Sequence, residues 1–180
     1  MDIPISFKIY LQWKKLFNKK EDNHQIKISK EGRGVRSILF FLPEKIQDAK
    51  IVNYLVKVEN PLPGYDIGLV CSERSKMFYP HIDNVKLFTF NDEDLNYFDT
   101  IKSVLFMDTI KSKNYDAIVD LNTEFCAATT MLAFELDAPL KIGFDSIVNR
   151  KIFTITLERK ENTFLESYFS RILNLLGVKL

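Results

Sequence analysis

Residues 115–144 have the sequence YDAIVDLNTEFCAATTMLAFELDAPLKIGF and carry the clearest fold signal in the chain. The first part, YDAIVDL (115–121), is a short apolar run typical of a buried strand. An apolar, alanine-containing helix is predicted over 123–136, and PLKIGF (139–144) is predicted to be a second strand. Two strands joined by a helix run parallel in one sheet with a right-handed crossover. The stretch therefore predicts a βαβ unit.

The same alternation extends outward in both directions. Further strands are predicted at 37–43, 65–71, 85–90 and 150–157, and further helices at 45–58, 93–113 and 162–178. Asn91 or Asp92 is the expected N-cap of the 93–113 helix. We therefore expect the α/β class, with a Rossmann-like, doubly wound, mainly parallel sheet that carries helices on both faces.

The composition excludes several classes of protein. With 180 residues, of which 46% are hydrophobic and 27% charged, the chain has the make-up of one soluble globular domain. Its 25 basic and 24 acidic residues nearly cancel, which argues against a nucleic-acid-binding protein. No apolar run approaches the roughly 20 residues of a membrane span. Cys71 and Cys126 lack CxxC spacing, so we expect buried free thiols and a cytoplasmic location.

The charge is unevenly distributed along the chain. Residues 1–36 carry 9 Lys and Arg against 4 Asp and Glu, whereas residues 37–180 carry 16 against 20. We therefore predict a basic N-terminal segment, consisting of a helix and a polar linker, at 1–36, and a Rossmann-like domain at 37–180.

The N-terminal segment contains a predicted amphipathic helix, ISFKIYLQWKKLFNKK (5–20), that starts after Pro4. At about 100° per residue, one side of this helix carries an apolar set that we call the Trp13 stripe, formed by Ile5, Ile9, Trp13 and Leu16. One hypothesis is that this helix anchors the protein on an anionic membrane surface. The other is that its apolar stripe packs on the protein's own domain or on a partner. The residues expected to make the membrane or partner contact are Trp13, Lys14, Lys15 and Phe17.

Ligands of doubly wound sheets bind beyond the carboxyl ends of the strands, so the site is expected in the windows 43–48, 71–75, 90–94, 120–124 and 144–149. The candidate cleft residues are Glu44, Ser72, Asn91, Asp120, Asn122 and Asp145. Asp120 either faces a ligand or caps the following helix, and Asp145 either faces a ligand or forms a turn with Ser146. Asp48 lies in the first turn of a predicted helix, where it is either a general base or a solvent-exposed residue.

Motifs for the common cofactors and nucleophiles are missing. The segment after the first strand, LPEKIQD, contains no glycine, which disfavours a dinucleotide or P-loop site. His24 and His81 have no partners at metal-ligand spacing, and the chain has no GxSxG motif. We therefore expect no metal and no cofactor.

Several of these segments resemble one known enzyme family. YDAIVDLN (115–122), the helix after it, APLKIGF (138–144) and ESYFSRILNLLGV (166–178) are similar to the acceptor-side half of family 9 glycosyltransferases, the bacterial lipopolysaccharide heptosyltransferase-like enzymes. The resemblance spans 37–178 and implies one half of a GT-B fold. It also implies a role for Asp48, which aligns with the aspartate proposed as the base that activates the acceptor hydroxyl. Gln47 stands where the family has a glycine.

The resemblance implies two functions of different classes. The one that we favour is a stand-alone, degenerate heptosyltransferase-like domain that binds or scaffolds without catalysis, because that glycine is replaced and the chain ends about where the interdomain linker would begin. The alternative is a glycosyltransferase subunit for a cell-envelope saccharide, with Asp48 as base and a separate donor-binding partner. Expected partners are a protein or a second copy of this chain, and an anionic membrane surface through residues 5–20. The expected location is cytoplasmic, peripheral at the inner membrane face.

Overall fold

Alternating strands and helices build a three-layer α/β structure. The computed structural model of the protein describes residues 3–17, 35–58, 64–79, 85–159 and 164–176, without the side chains of residues 17 and 54–58. The helices are α1 (Ile5–Phe17), α2 (Ile46–Val58), α3 (Val104–Lys111), α4 (Ala127–Glu135) and α5 (Leu165–Leu175). The strands are β1 (Ser37–Phe41), β2 (Asp66–Ser72), β3 (Lys86–Phe90), β4 (Ala117–Asp120), β5 (Leu140–Phe144) and β6 (Ile155–Leu157). Short 3-10 helices span Lys76–Phe78, Asp92–Asp94 and Asn149–Lys151.

The six described strands form one sheet in the order β3-β2-β1-β4-β5-β6, and every pairing is parallel. One face of the sheet packs against α2 and α5, through residues such as Val52 and Phe169. The other face packs against α3 and α4, through residues such as Ile110 and Leu132. The Rossmann-like prediction is therefore confirmed. Since the helices that follow β1 and β4 lie on opposite faces, a crevice opens between the carboxyl ends of these two neighbouring strands.

The helix α1 packs on this domain, but not through the Trp13 stripe. Phe7 and Leu11 of this helix, with Ile3 just before it, are buried and cluster with Met131 of α4 and with Val148. These three residues recur every four positions and lie on the side of α1 opposite to the Trp13 stripe. The hypothesis that the stripe packs on the protein's own domain is therefore wrong, because a second apolar face makes that contact. The predicted division of the chain at residue 36 stays a prediction.

The predicted 93–113 helix is wrong in its first half. Asn91 is an N-cap, as expected, but it caps only the 3-10 helix Asp92–Asp94. The side chain of Asn96 then accepts hydrogen bonds from two backbone amides of the next turn, at 2.8 and 3.2 Å. The helix α3 starts at Val104, with Ser103 as its N-cap. An irregular loop, 95–103, therefore replaces two predicted helical turns beyond the carboxyl end of β3.

One further helix and one strand are also shorter than predicted. The helix predicted over 123–136 begins at Ala127, so that 123–126 form a loop after β4. The strand predicted over 150–157 is confined to β6, which a 3-10 helix precedes. Within the described parts of the chain, no helix is both long and apolar enough to cross a membrane.

Candidate functional site

The carboxyl ends of β1 and β4 meet at the crevice, where Phe41 is paired with Asp120. The Asp120 carboxylate is only 3% exposed. It accepts hydrogen bonds from the backbone nitrogen of Asn122 at 3.0 Å, from its Nδ2 at 2.7 Å and from Oγ1 of Thr129 at 3.1 Å. Burial raises the pKa of Asp120 to about 6, although the three hydrogen bonds oppose this rise. Because Thr129 belongs to α4, Asp120 fixes the end of β4 to that helix.

Asn122 joins the loops that follow β4 and β1. Its Oδ1 accepts a hydrogen bond from the backbone nitrogen of Glu44 at 3.3 Å, while its Nδ2 is held by Asp120. The Glu44 side chain itself is exposed. This connection holds the backbone of Glu44 at the mouth of the crevice.

Asp48 lies in the first turn of α2 and is 5% exposed. Its Oδ2 accepts a hydrogen bond from Oγ1 of Thr123, in the loop after β4. It lines a small pocket of about 90 Å³, together with residues that include Glu44 and Asn122. The loop after β4 thus covers the Asp48 carboxylate.

A much larger cavity, which we call the strand-end cleft, opens beside this pocket and has a volume of about 1190 Å³. Its walls come from the loops after β1, β2, β3 and β4 and from the start of α1. Its lining residues are Pro4, Ser6, Phe7, Glu44, Ser72, Glu73, Arg74, Phe90, Asn91, Asp92, Leu95, Asn96, Tyr97, Phe98, Asp99, Thr123, Glu124, Phe125, Cys126, Ala127 and Ala128. The cleft is large enough for a small organic ligand.

The lining of the cleft is acidic. It contains five carboxylates, on Glu44, Glu73, Asp92, Asp99 and Glu124, but the only cationic side chain among the described lining residues is Arg74. Arg74 forms an ion pair with Asp92, which connects the loops after β2 and β3.

Two lysines beside the cleft compensate two of its carboxylates. Lys76 binds Glu73 at 2.8 Å, and Lys45 binds Glu124. The hydrogen bond from Lys76 lowers the pKa of Glu73. These two ion pairs lie at the rim of the cleft. They contribute little to the stability of the fold, because both are exposed and solvent screens them.

Aromatic side chains from the loops after β3 and β4 form the apolar part of the cleft. The ring of Tyr97 is 93% exposed. Phe98 stacks on Tyr10 of α1 with ring centroids 4.8 Å apart, and Phe125 makes an edge contact with Phe7 at the same distance. α1 therefore supports two loops of the cleft and leaves the Tyr97 ring accessible.

The structure brings some of the predicted site residues together and separates others. Glu44, Ser72 and Asn91 line the strand-end cleft, and Asn122 lines the small pocket. Asp120 is a buried acceptor and lines neither cavity. Asp145 is a partner of Arg150, whose Nε donates to it at 2.7 Å, and this residue lines neither cavity. The Arg150 hydrogen bond lowers the pKa of Asp145.

Other lining residues were not singled out by sequence. Arg74, Asp92 and Glu124 lie inside the predicted strand-end windows, so the windows were the available signal. Tyr97 and its neighbours were missed because this segment was predicted to be helical. Cys126 also lines the cleft, and burial raises the pKa of its thiol to about 12, which argues against a reactive thiolate.

Two lysines of α1 that are predicted to contact a membrane or a partner form bonds to the domain. Lys14 pairs with Glu135 of α4 at 2.7 Å, Lys15 donates to the backbone oxygen of Lys151 at 3.2 Å, and Trp13 is 55% exposed. The Phe17 side chain lies outside the described residues, as do His24 and His81. Among the residues that the structure describes, no cluster of His, Cys, Asp and Glu could hold a metal ion.

Comparisons with known proteins identify a family and a fold. The model of a family described as being of unknown function, DUF6913, matches residues 10–177. No curated protein matches the chain. Among solved structures, the E. coli heptosyltransferase WaaC with ADP is similar, with a TM-score of 0.56 and 15% identity over 79% of this chain and 48% of that one. A glycosyl transferase of family 9 from Veillonella parvula has a TM-score of 0.54 and 17% identity over 80% and 42%. This chain thus spans less than half the length of either structure, and the likeness is one of fold.

Proposed function

The chain belongs to DUF6913, a family of unknown function, and we propose that it is a non-catalytic domain that binds an uncharged saccharide in the strand-end cleft. The fold is that of family 9 glycosyltransferase domains. The proposal goes further, to the ligand class and to the absence of catalysis, and it rests on the lining of the cleft.

The chemistry of that lining is the observation that carries the proposal. Sugar hydroxyls donate hydrogen bonds to carboxylates and accept them from guanidinium and amide groups, all of which line the cleft on Glu44, Arg74, Asn91 and Asp92. The exposed ring of Tyr97 offers an apolar face to the C–H face of a sugar. A phosphate or nucleotide would instead meet five carboxylates, of which Arg74, Lys76 and Lys45 pair with three, so the local charge is still negative and an anionic ligand is disfavoured.

The placement of Asp48 supports a role without catalysis. A general base must lie within hydrogen-bond reach of the hydroxyl that it deprotonates. Asp48 is 5% exposed, is bound by Thr123 and does not line the cleft. A sugar in the cleft would therefore be separated from this carboxylate by the loop after β4.

Calorimetric titration of the purified chain tests the proposal. The titrants are a panel of uncharged mono- and oligosaccharides, run in parallel with ADP- and UDP-linked sugars. We expect saturable binding of an uncharged saccharide and no binding of the nucleotide sugars. Tyr97→Ala should weaken that binding by about tenfold, because a stacked aromatic ring contributes roughly 1 kcal/mol. Phe164→Ala is the matched control, because Phe164 is an 80% exposed aromatic residue outside the cleft.

Two outcomes would contradict the proposal. If the folded protein binds no member of the panel, the saccharide assignment fails. If it binds a nucleotide sugar and Asp48→Asn abolishes that binding, the enzymatic alternative with a separate donor-binding partner is favoured instead.

A further inference from the structure

The helix α1 has two apolar faces, of which one is buried against the domain and the other is largely exposed. Ile3, Phe7 and Leu11 are buried, at 8%, 2% and 3% exposure. The Trp13 stripe lies on the other side of the helix, and its exposed fractions are 74% for Ile5, 62% for Ile9, 55% for Trp13 and 76% for Leu16. A contiguous row of large apolar side chains on a surface helix marks an interaction site rather than ordinary surface.

The charges that α1 itself carries are of one sign. Residues 3–17 contain three lysines and no acidic residue. Lys14 turns toward the domain and pairs with Glu135. Lys8 and Lys15 lie two helical turns apart along one edge of the stripe. The bond between Lys15 Nζ and the backbone oxygen of Lys151 brings the exposed Lys151 to that edge as well.

We propose that the Trp13 stripe docks α1 in the surface of an anionic lipid bilayer. Apolar side chains on one helical face, with lysines beside them, enter the boundary between headgroups and acyl chains while the cations meet lipid phosphates. The aromatic ring of Trp13 suits that boundary, because it is apolar with a single polar N–H. This inference is independent of what the strand-end cleft binds.

A second copy of the chain is a poorer occupant of the same surface. The four partly exposed side chains supply on the order of 500 Å², which is less than the roughly 800 Å² that each partner of a stable dimer buries. In an antiparallel two-fold contact centred on the stripe, Lys8 and Lys15 of one copy would also approach those of the other, which costs energy in a desolvated interface.

The protein contains its own probe for the experiment, since Trp13 is its only tryptophan. Tryptophan emission and co-sedimentation would be measured for the whole chain with vesicles of phosphatidylcholine alone and with phosphatidylcholine containing phosphatidylglycerol. We expect a blue shift of the emission and sedimentation with the anionic vesicles, both reduced by added salt, and little of either with the neutral vesicles.

Matched variants locate the contact. Ile9→Glu should weaken vesicle binding by about tenfold or more, because it places a charge at the centre of the stripe. Ile46→Glu makes the same change at a 54% exposed isoleucine of α2 and should leave binding unchanged. Circular dichroism checks that both variants are folded.

Several results would overturn the inference. One is the absence of binding to anionic vesicles by the folded protein, and another is equal binding by both variants. A third is a concentration-dependent dimer in sedimentation velocity that Ile9→Glu dissociates, which would assign the stripe to a second copy of the chain. Saccharide titration of Ile9→Glu without vesicles tests the cleft separately, so failure of one proposal leaves the other measurable.

Discussion

Replacement of Asp120 by asparagine is expected to stabilise the protein at neutral pH. The carboxylate is 3% exposed, and the groups that donate to it, on Asn122 and Thr129, are uncharged. Burial therefore raises its pKa from an ordinary 3.8 to about 6. Asparagine keeps an acceptor for Asn122, and its amide can donate to the Thr129 hydroxyl, which in turn lies 3.5 Å from the Cys126 carbonyl oxygen.

The sign and size of the effect follow from the two pKa values of Asp120. Between pH 3.8 and 6 the unfolded chain has released this proton while the folded chain still holds it, so wild-type stability falls as the pH rises. Each pKa unit corresponds to about 1.4 kcal/mol, so the carboxylate costs about 3 kcal/mol above pH 7. Asp120→Asn removes this cost, and the stability difference between variant and wild type should grow from near zero at pH 4 to about 3 kcal/mol at pH 7.5.

Urea unfolding, followed by circular dichroism at several pH values, measures that difference. Other titrating groups contribute equally to both proteins and cancel in it. Asp120→Ala is the control, because it removes the acceptor that Asn122 and Thr129 bind at 2.7–3.1 Å, and it should cost roughly 1–3 kcal/mol even at pH 4. If the stability difference between Asp120→Asn and wild type is no larger at pH 7.5 than at pH 4, the reasoning about burial is refuted.

Three further substitutions test the packing of α1, the sheet and the cleft loop. Phe7→Ala removes a 2% exposed ring and should release α1, seen as faster amide hydrogen exchange in residues 5–17 while the sheet stays protected; unchanged exchange in α1 would contradict this. Gly68→Ala would place a Cβ 2.8 Å from Cδ1 of the buried Leu39 and should lower the Tm by about 3–8 °C, whereas an unchanged Tm would mean that β2 has room to move. Asn96→Ala removes the side chain that holds the turn carrying Tyr97, so saccharide binding should fall several-fold with a small change in Tm; undiminished binding would show that the turn forms without it.

The strands and most helices could be predicted because each depends on local patterns. Strands of a parallel sheet are covered on both faces, so runs such as SILFF of β1 and LKIGF of β5 are apolar apart from Ser37 and Lys141. The 93–113 helix could not be located correctly in the same way. Asn91, just before this segment, and Asn96, in its first half, have side chains that bind nearby backbone amides and form turns instead. Asparagine at both positions was the available signal.

The location of the candidate site could be predicted from the sequence, but the set of residues that line it could not. Parallel strands fix which end of the sheet binds ligands, so the strand-end windows contained Glu44, Ser72 and Asn91, which line the cleft. The same rule also selected Asp120 and Asp145, which line neither cavity. A residue's position after a strand does not determine where its side chain points, because hydrogen bonds to Asn122 or Arg150 settle that direction.

The sequence by itself determined the α/β class, the six strands and the edge of the sheet where a ligand would bind, because hydrophobic periodicity and chain order depend only on neighbouring residues. Tertiary structure alone decided the strand order, the burial of Asp48 under the loop after β4, and which face of α1 meets the domain. The periodicity of α1 is compatible with contact through either apolar face. The face of α1 that contains Phe7 packs against α4 and Val148, and the Trp13 stripe stays exposed. The sequence of α1 does not determine this choice, because a contact between two distant segments depends on the shapes of both segments.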